Sequence, residues 1–254
     1  MKTKEKIAIS IDKSLLDEID SFIDGSNISS RSQAIEVLVR KALKQSPLTT
    51  AVILIHQKEL KYLVKEFNGL TLMQHHISFL LRNGIKRLFL VTKDGQFIED
   101  IKKEIGKDIK IEVLNEKKQE GTASALKLLK GKIENDFIVI NGDTFNDFDL
   151  RRMIQKHKQS GKVATIGLIT SKKASKYGGI LISGDEIIGI KDKDDSKDIF
   201  IINAGIYVFK PTIFKYISRE KSLERDVFPK LVKEKQINGY FTHGFYIHAP
   251  EFSS

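Results

Sequence analysis

Apolar and polar residues alternate strictly from Lys6 to Ile11. Ile7, Ile9 and Ile11 fall on one face and Lys6, Ala8 and Ser10 on the other, which predicts a β-strand. The period then lengthens. Leu15, Leu16, Ile19, Phe22 and Ile23 recur at helical spacing behind Asp12, a residue type suited to N-capping, and Gly25 ends the helix. Ser30 opens a second helix, with Gln33 three residues on as a capping-box partner and Ala34, Ile35, Leu38, Val39, Ala42 and Leu43 as its stripe. Ser46-Pro47 closes this segment and marks a linker.

Beyond it, short apolar strands take turns with amphipathic stretches. The predicted strands are Ala51–Ile55, Arg87–Val91, Phe137–Ile140, Val163–Ile169 and Ile199–Phe209. The predicted helices are Leu72–Arg82, Phe97–Ile105, Thr122–Leu129, Leu150–Gln159 and Leu223–Glu234. That rhythm predicts an α/β domain, Rossmann-like, built on a mostly parallel sheet. The expected division is a small domain over 1–46 and a large one over 47–254.

Composition narrows the setting. The chain has 254 residues, 41% hydrophobic and 30% charged, which is a globular rather than a disordered balance. No apolar run approaches the ~20 residues that span a bilayer, so no membrane partner is expected. The first residues, Met1-Lys-Thr-Lys-Glu-Lys6, lack the apolar core of a signal peptide, and zero cysteines exclude disulfides and thiolate metal sites. A cytoplasmic location follows as the expectation. The net charge of +10 invites a nucleic-acid reading, but the first 46 residues are nearly neutral. The excess is scattered lysine in the larger part, the usual pattern of a solvated surface.

One strand and two helices over Lys4 to Lys44 cannot bury a stable core alone, and the strand needs a partner for its backbone groups. Pairing with a second copy answers both needs. This order and spacing resembles the ribbon-helix-helix repressors, with Ser29-Ser-Arg-Ser-Gln-Ala-Ile35 as the opening of that family's second helix. The resemblance implies a homodimer joined through the ribbon, with double-stranded DNA as partner. Lys6, Ala8 and Ser10 would then face base edges in the major groove, and the N–H groups of Ser30, Arg31 and Ser32 would clamp a phosphate. The alternative is a dimerisation arm that never meets DNA.

Later segments carry a second resemblance. Glu120-Gly-Thr-Ala-Ser-Ala-Leu126, Ile140-Asn-Gly-Asp143, Tyr177-Gly-Gly179, Asn203-Ala-Gly-Ile-Tyr-Val-Phe209 and Ser222-Leu-Glu-Arg-Asp-Val-Phe-Pro229 together resemble the sugar-phosphate nucleotidyltransferases, closest in flavour to mannose- and heptose-1-phosphate guanylyltransferases. Their chemistry needs backbone amides around a triphosphate, a divalent ion held by carboxylates, and a basic side chain to place the sugar phosphate.

The chain departs from that pattern in three places. The family's glycine-rich cradle, Gly-Gly-x-Gly-Thr-Arg-Leu, is replaced by His56-Gln-Lys-Glu-Leu-Lys61, in which Lys61 stands as the remnant of the phosphate lysine. Side chains at His56, Gln57 and Glu59 would crowd or repel a triphosphate. Asp143 matches the first metal carboxylate, whereas His248 stands where the second is expected, so both are read as vestigial and no metal is assigned. The family's Glu-Lys-Pro becomes Asp192-Lys-Asp194. The candidate ligand-binding positions are Lys61, Glu116, Gly121, Asp143, Gly178, Lys193, Asn203 and Glu224.

Three departures behind a ribbon-helix-helix-like segment lead to one expectation. The chain would be a DNA-binding transcriptional regulator and not an enzyme, with no cofactor and no catalytic residue. Its large domain would sense a nucleotide, sugar phosphate or nucleotide sugar, or serve as a dimerisation scaffold. Two alternatives stand beside it: an active sugar-1-phosphate nucleotidyltransferase with an N-terminal dimerisation or autoregulatory arm, and a ligand-free architectural DNA protein.

Overall fold

A computed structural model describes residues 7–25, 28–43, 48–104, 108–171, 178–191, 200–241 and 244–250. The chain divides into two compact units, Met1–Pro47 and Leu48–Ser254.

In the first unit, helix α1 spans Lys13–Asp20 and helix α2 spans Arg31–Leu43. Asp12 caps α1 by accepting from the Ser14 N–H at 2.8 Å, and the Ser14 hydrogen bonds hold the Asp12 carboxyl below its usual range. The helix is shorter than its apolar spacing predicts. Ser21 turns its hydroxyl back onto the Glu18 carbonyl at 2.6 Å, and Phe22 and Ile23 fall beyond the helix end. At α2 the Ser30 hydroxyl accepts from the Gln33 N–H at 3.3 Å, while the Gln33 amide oxygen accepts from Ser29 N at 3.0 Å. The reciprocal bond thus lands one residue earlier than expected. The Arg31 guanidinium is committed to Asp20, at 2.7 and 2.6 Å. Residues 7–11 form no strand in the single chain, and Lys6 lies outside the described residues.

The second unit is built on a nine-stranded sheet. Its elements, in chain order, are β1 (Thr50–Leu54), α3 (Leu60–Leu63), the small hairpin β2 (Glu66–Phe67) and β3 (Leu70–Thr71), α4 (Leu72–Arg82), β4 (Arg87–Thr92), α5 (Gly95–Glu104) and β5 (Lys110–Asn115). There follow α6 (Thr122–Lys127), β6 (Phe137–Asn141), β7 (Thr144–Asn146), α7 (Leu150–Ser160), β8 (Ala164–Thr170), β9 (Gly179–Ser183), β10 (Glu186–Lys191), β11 (Ile201–Phe209), β12 (Ile237–Phe241) and β13 (Tyr246–His248).

The order across the sheet is β5-β4-β1-β6-β11-β8-β12-β10-β9. Within it β10 and β11 run against the other seven strands, which gives the mostly parallel α/β class predicted from the sequence. Period-two alternation splits the apolar residues between two layers. Ile53, Leu90 and Ile140 face one core, and Val52, Val91 and Val139 face the other. Strands buried on both faces read as continuous apolar runs, which is why β1, β4 and β6 were legible.

The chain passes from β1 to β4 and β5 on one side, then returns to place β6 on the other. That reversal opens a crevice beyond the carboxyl ends of β1 and β6, where ligands settle in open α/β sheets. Several of the candidate residues, Glu116, Gly121 and Asp143, gather there.

Candidate functional site

Strand β1 gives way to a tight turn over Gln57–Glu59. Each of its backbone donors has an internal partner. The His56 N–H donates to Oε2 of Glu59 at 3.1 Å, and the Gln57 N–H to Oε1 of Gln119 at 3.0 Å. The Lys58 N–H donates to Nδ1 of His56 at 3.2 Å, and the Glu59 N–H to the His56 carbonyl at 2.8 Å. Gln119 completes the clamp by donating from Nε2 to the Ile55 carbonyl at 3.2 Å. A glycine cradle offers its amides to phosphate; this turn spends its amides on its own side chains, on the His56 carbonyl and on Gln119.

Across the crevice, the Gly142 N–H donates to the Leu54 carbonyl at 2.8 Å and brings the end of β6 against β1. A Cβ at Gly142 would lie 3.0 Å from that carbonyl oxygen, so glycine allows the approach. Asp143 follows. Its carbonyl accepts from the Ala249 N–H at 2.7 Å, and its Oδ2 lies 3.2 Å from Nε2 of His248, held opposite by the β7–β13 pairing. A cavity of about 160 Å³ lies between these strand ends, lined by His56, Glu59, Glu116, Gln119, Asn141 and Asp143 among others. Burial, and next the charge of Asp143, push the Glu59 carboxyl up to about 8, against the lowering effect of the His56 N–H. Burial also raises Glu116, opposed by its hydrogen bond with Gln119.

A second polar group stands deeper along β11. The buried Tyr207 hydroxyl accepts from Nδ2 of Asn203 at 2.7 Å and from Nδ2 of Asn141 at 3.4 Å, and donates to Oε1 of Glu224 at 3.2 Å. Oε2 of Glu224 accepts from the hydroxyls of Thr122 at 2.9 Å and Ser222 at 3.0 Å. Burial and then the Glu224 charge hold the Tyr207 hydroxyl well above the usual tyrosine value, so it stays a donor. Oδ1 of Asn141 is buried without a partner. The strand bends here, with a register shift between Asn203 and Tyr207 around Gly205 at φ +70°.

The structure therefore brings Glu116, Gly121 and Asp143 to one cavity, with Asn203 and Glu224 tied to its Asn141 through Tyr207. Gly121 also has a packing duty, because a Cβ there would lie 2.4 Å from the Lys221 carbonyl oxygen. Gly178 is similar, with φ +86° and the Lys191 carbonyl oxygen 2.9 Å from a Cβ. Lys61 is exposed on α3, its ammonium 5.0 Å from the Tyr62 ring centre, and does not line the cavity. Tyr177, Asp192, Lys193 and Asp194 lie outside the described residues. Sequence reasoning missed Gln119, Asn141, Tyr207 and Thr122 as site residues, although each sits within or beside a motif that it singled out.

The family chemistry implies a divalent cation between two carboxylates. Here Asp143 supplies one, and His248 is engaged with that same carboxylate. Among the described residues no group of three or more His, Cys, Asp or Glu side chains converges for a metal ion. This donor set does not fit a two-carboxylate seat for a hard oxygen-seeking ion.

Comparison with known proteins gives the context. The Nucleotidyl transferase family matches residues 36–246. Mannose-1-phosphate guanylyltransferase catalytic subunit beta of Danio rerio is 28% identical over 194 residues, covering 72% of this chain and 53% of the relative. The Xenopus tropicalis protein of the same description is 30% identical over 192 residues, with the same coverage. The chain thus spans about half the length of the curated relatives it matches. HddC from Yersinia pseudotuberculosis shares the fold at a TM-score of 0.67 and 23% identity, over 81% of this chain and 100% of that one. A putative glucose-1-phosphate thymidylyltransferase from Bacillus anthracis does so at 0.69 and 18%, over 79% and 89%.

These matches correct the expectation drawn from the three departures. A DNA-binding transcriptional regulator with a retired catalytic domain, not an enzyme, is overturned by the family match and by relatives that carry mannose-1-phosphate guanylyltransferase names. The altered turn and His248 thus occur within a chain whose relatives carry transferase names. The chain belongs to the nucleotidyl transferase family.

Proposed function

We propose that the chain is a sugar-phosphate nucleotidyltransferase, joining a hexose 1-phosphate to a nucleoside triphosphate. A sugar-phosphate oxygen attacks the α-phosphorus, the bond to the bridging oxygen of the β-phosphate breaks, and pyrophosphate leaves. The observation that carries this reading is the hydrogen-bonded set Asn203–Tyr207–Glu224, tied to Asn141 two residues before Asp143. A regulatory scaffold would have no need of a carboxylate fixed by two hydroxyls and a buried phenol beside a crevice at the strand ends. In this reading Asn203 and Glu224 orient the sugar, and Asp143 faces the reacting phosphates. The guanylyltransferase names of the relatives make GTP with mannose 1-phosphate the first pair to test. The absence of cysteine supports a cytoplasmic setting.

The test is pyrophosphate release from pairs of nucleoside triphosphate and hexose 1-phosphate. Wild type is expected to turn over at least one pair, and Asn203→Ala with Glu224→Gln to lose about 100-fold or more. Rates for every pair no greater than those of the double variant would overturn the reading.

The N-terminal unit is proposed as a dimerisation arm of ribbon-helix-helix type. Ile7 is 80% exposed and Ile9 56% exposed in the single chain, on the alternating face that a paired ribbon would bury. Light scattering on the full chain is expected to give a dimer, and Ile7→Lys with Ile9→Lys a monomer. A wild-type monomer at tens of micromolar would refute the arm.

A further inference from the structure

We infer that Glu59 is a specificity-determining residue of the crevice: its carboxyl holds the backbone donor at the end of β1, and a nucleotide phosphate has to displace it. The inference rests on the transferase reading above and deepens it. A carboxylate on an N–H at a strand end does what a phosphate oxygen does at a glycine cradle. The His56 N–H, 3.1 Å from Oε2 of Glu59, is the donor so held. The other three amides of the turn are bound to Gln119, to the His56 imidazole and to the His56 carbonyl, so none stands open for an incoming anion.

Charge points the same way. The cavity is lined by the carboxyls of Glu59, Glu116 and Asp143, and among the described residues its lining includes no lysine or arginine. Lys58 and Lys61, on the same turn and the helix after it, are exposed and outside that lining. An entering nucleotide therefore meets more repulsion with each added phosphate. Glu59 is the acid in direct hydrogen-bond contact with the turn, and once ionised it is placed to grade nucleotides by charge.

The test uses the full chain and a ladder of guanosine with its 5′-mono-, di- and triphosphates, at fixed ionic strength and pH 9, where the carboxyl is ionised. Glu59→Gln removes the charge and keeps a side-chain oxygen for the His56 N–H, so the turn stays capped. It is expected to tighten triphosphate binding about tenfold, which needs only ~1.4 kcal/mol of relieved repulsion, and to leave guanosine within twofold. Glu59→Ser is the second charge-free variant and is expected to shift the ladder in the same direction. An unchanged or weaker triphosphate affinity, or an equal gain for guanosine, would overturn the inference. Turnover separates the two readings. A wild type that releases pyrophosphate while Glu59→Gln leaves the ladder unmoved sinks the role of Glu59 alone. A chain that binds no member of the ladder and turns over no pair sinks both.

Discussion

The hydroxyl of Tyr207 donates to Oε1 of Glu224 at 3.2 Å, across 17 positions of sequence, and so ties a central strand to the turn that precedes the helix Phe228–Lys233. Tyr207→Phe removes that donor and leaves Asn203 and Asn141 without their shared acceptor. The expected cost is about 1–3 kcal/mol in urea unfolding, with a raised KM for the sugar phosphate. Unchanged stability and KM would show the network to be ornamental.

Gly121 stands at φ +137°, in a region that only glycine occupies freely, with the Lys221 carbonyl oxygen 2.4 Å from the place of a Cβ. Gly121→Ala is expected to destabilise by about 2–3 kcal/mol. Urea unfolding checks it, and a loss under ~0.5 kcal/mol would mean that α6 moves aside freely.

Glu59 also leaves a signature in stability. Its carboxyl is raised from 4.5 to about 8 in the folded chain, so the folded state holds a proton that the unfolded state gives up. Stability contributed by that proton is complete below pH 4.5 and is lost as pH rises towards 8. Glu59→Gln cannot lose it. Its melting temperature, relative to wild type, is expected to be a few degrees higher at pH 9 than at pH 4.5. A difference that stays constant with pH would refute the shift.

His157 works in the opposite sense. Its imidazole is fully buried, accepts or donates at Nδ1 with the Thr165 hydroxyl at 2.9 Å, and is lowered to about 4 by burial and then by Lys210 and Lys158. Asp136 lies 3.9 Å from Nε2, too far to offset the burial. The unfolded chain takes up a proton near pH 6.5 and the folded one near 4, so stability falls as pH drops through that window. His157→Gln is expected to be less stable than wild type at neutral pH and to show a shallower acid loss. Equal acid slopes would count against a neutral, buried imidazole.

How much of this was legible in the sequence depended on how local each signal was. Leu72–Arg82 has the ends that its amphipathic stretch predicts, and in the structure Thr71 and Gln74 close its start with a reciprocal cap at 3.2 and 2.8 Å, a signal confined to four residues. Leu223–Glu234 looked like one helix but is a single wide turn over Leu223–Val227 followed by Phe228–Lys233, with Pro229 just inside the second start. Strand β5 went unseen because it is an edge strand of half-exposed residues, Lys110-Ile-Glu-Val-Leu-Asn115, without a clean apolar run. The site divides along the same line. Asp143, Asn203 and Glu224 sat in recognisable motifs, whereas Gln119 reaches the β1 turn across 62 positions and no local pattern announces that. The loss of glycines at His56–Glu59 was plain; that the turn would close on itself instead of collapsing into a regulator's scaffold needed three dimensions.

Strand β11, one of two reversed strands, lies between β6 on one side and β8 on the other and lets the two halves of the sheet share one hydrogen-bond ladder. It also carries Asn203 and Tyr207. The crevice cannot be assembled by either half alone, because its polar floor comes into being when β11 is seated. Long-range pairings of this kind are the slow steps of folding. For this chain, the completed ladder and the Asn203–Tyr207–Glu224 network arrive together, so that network itself records that the sheet has closed.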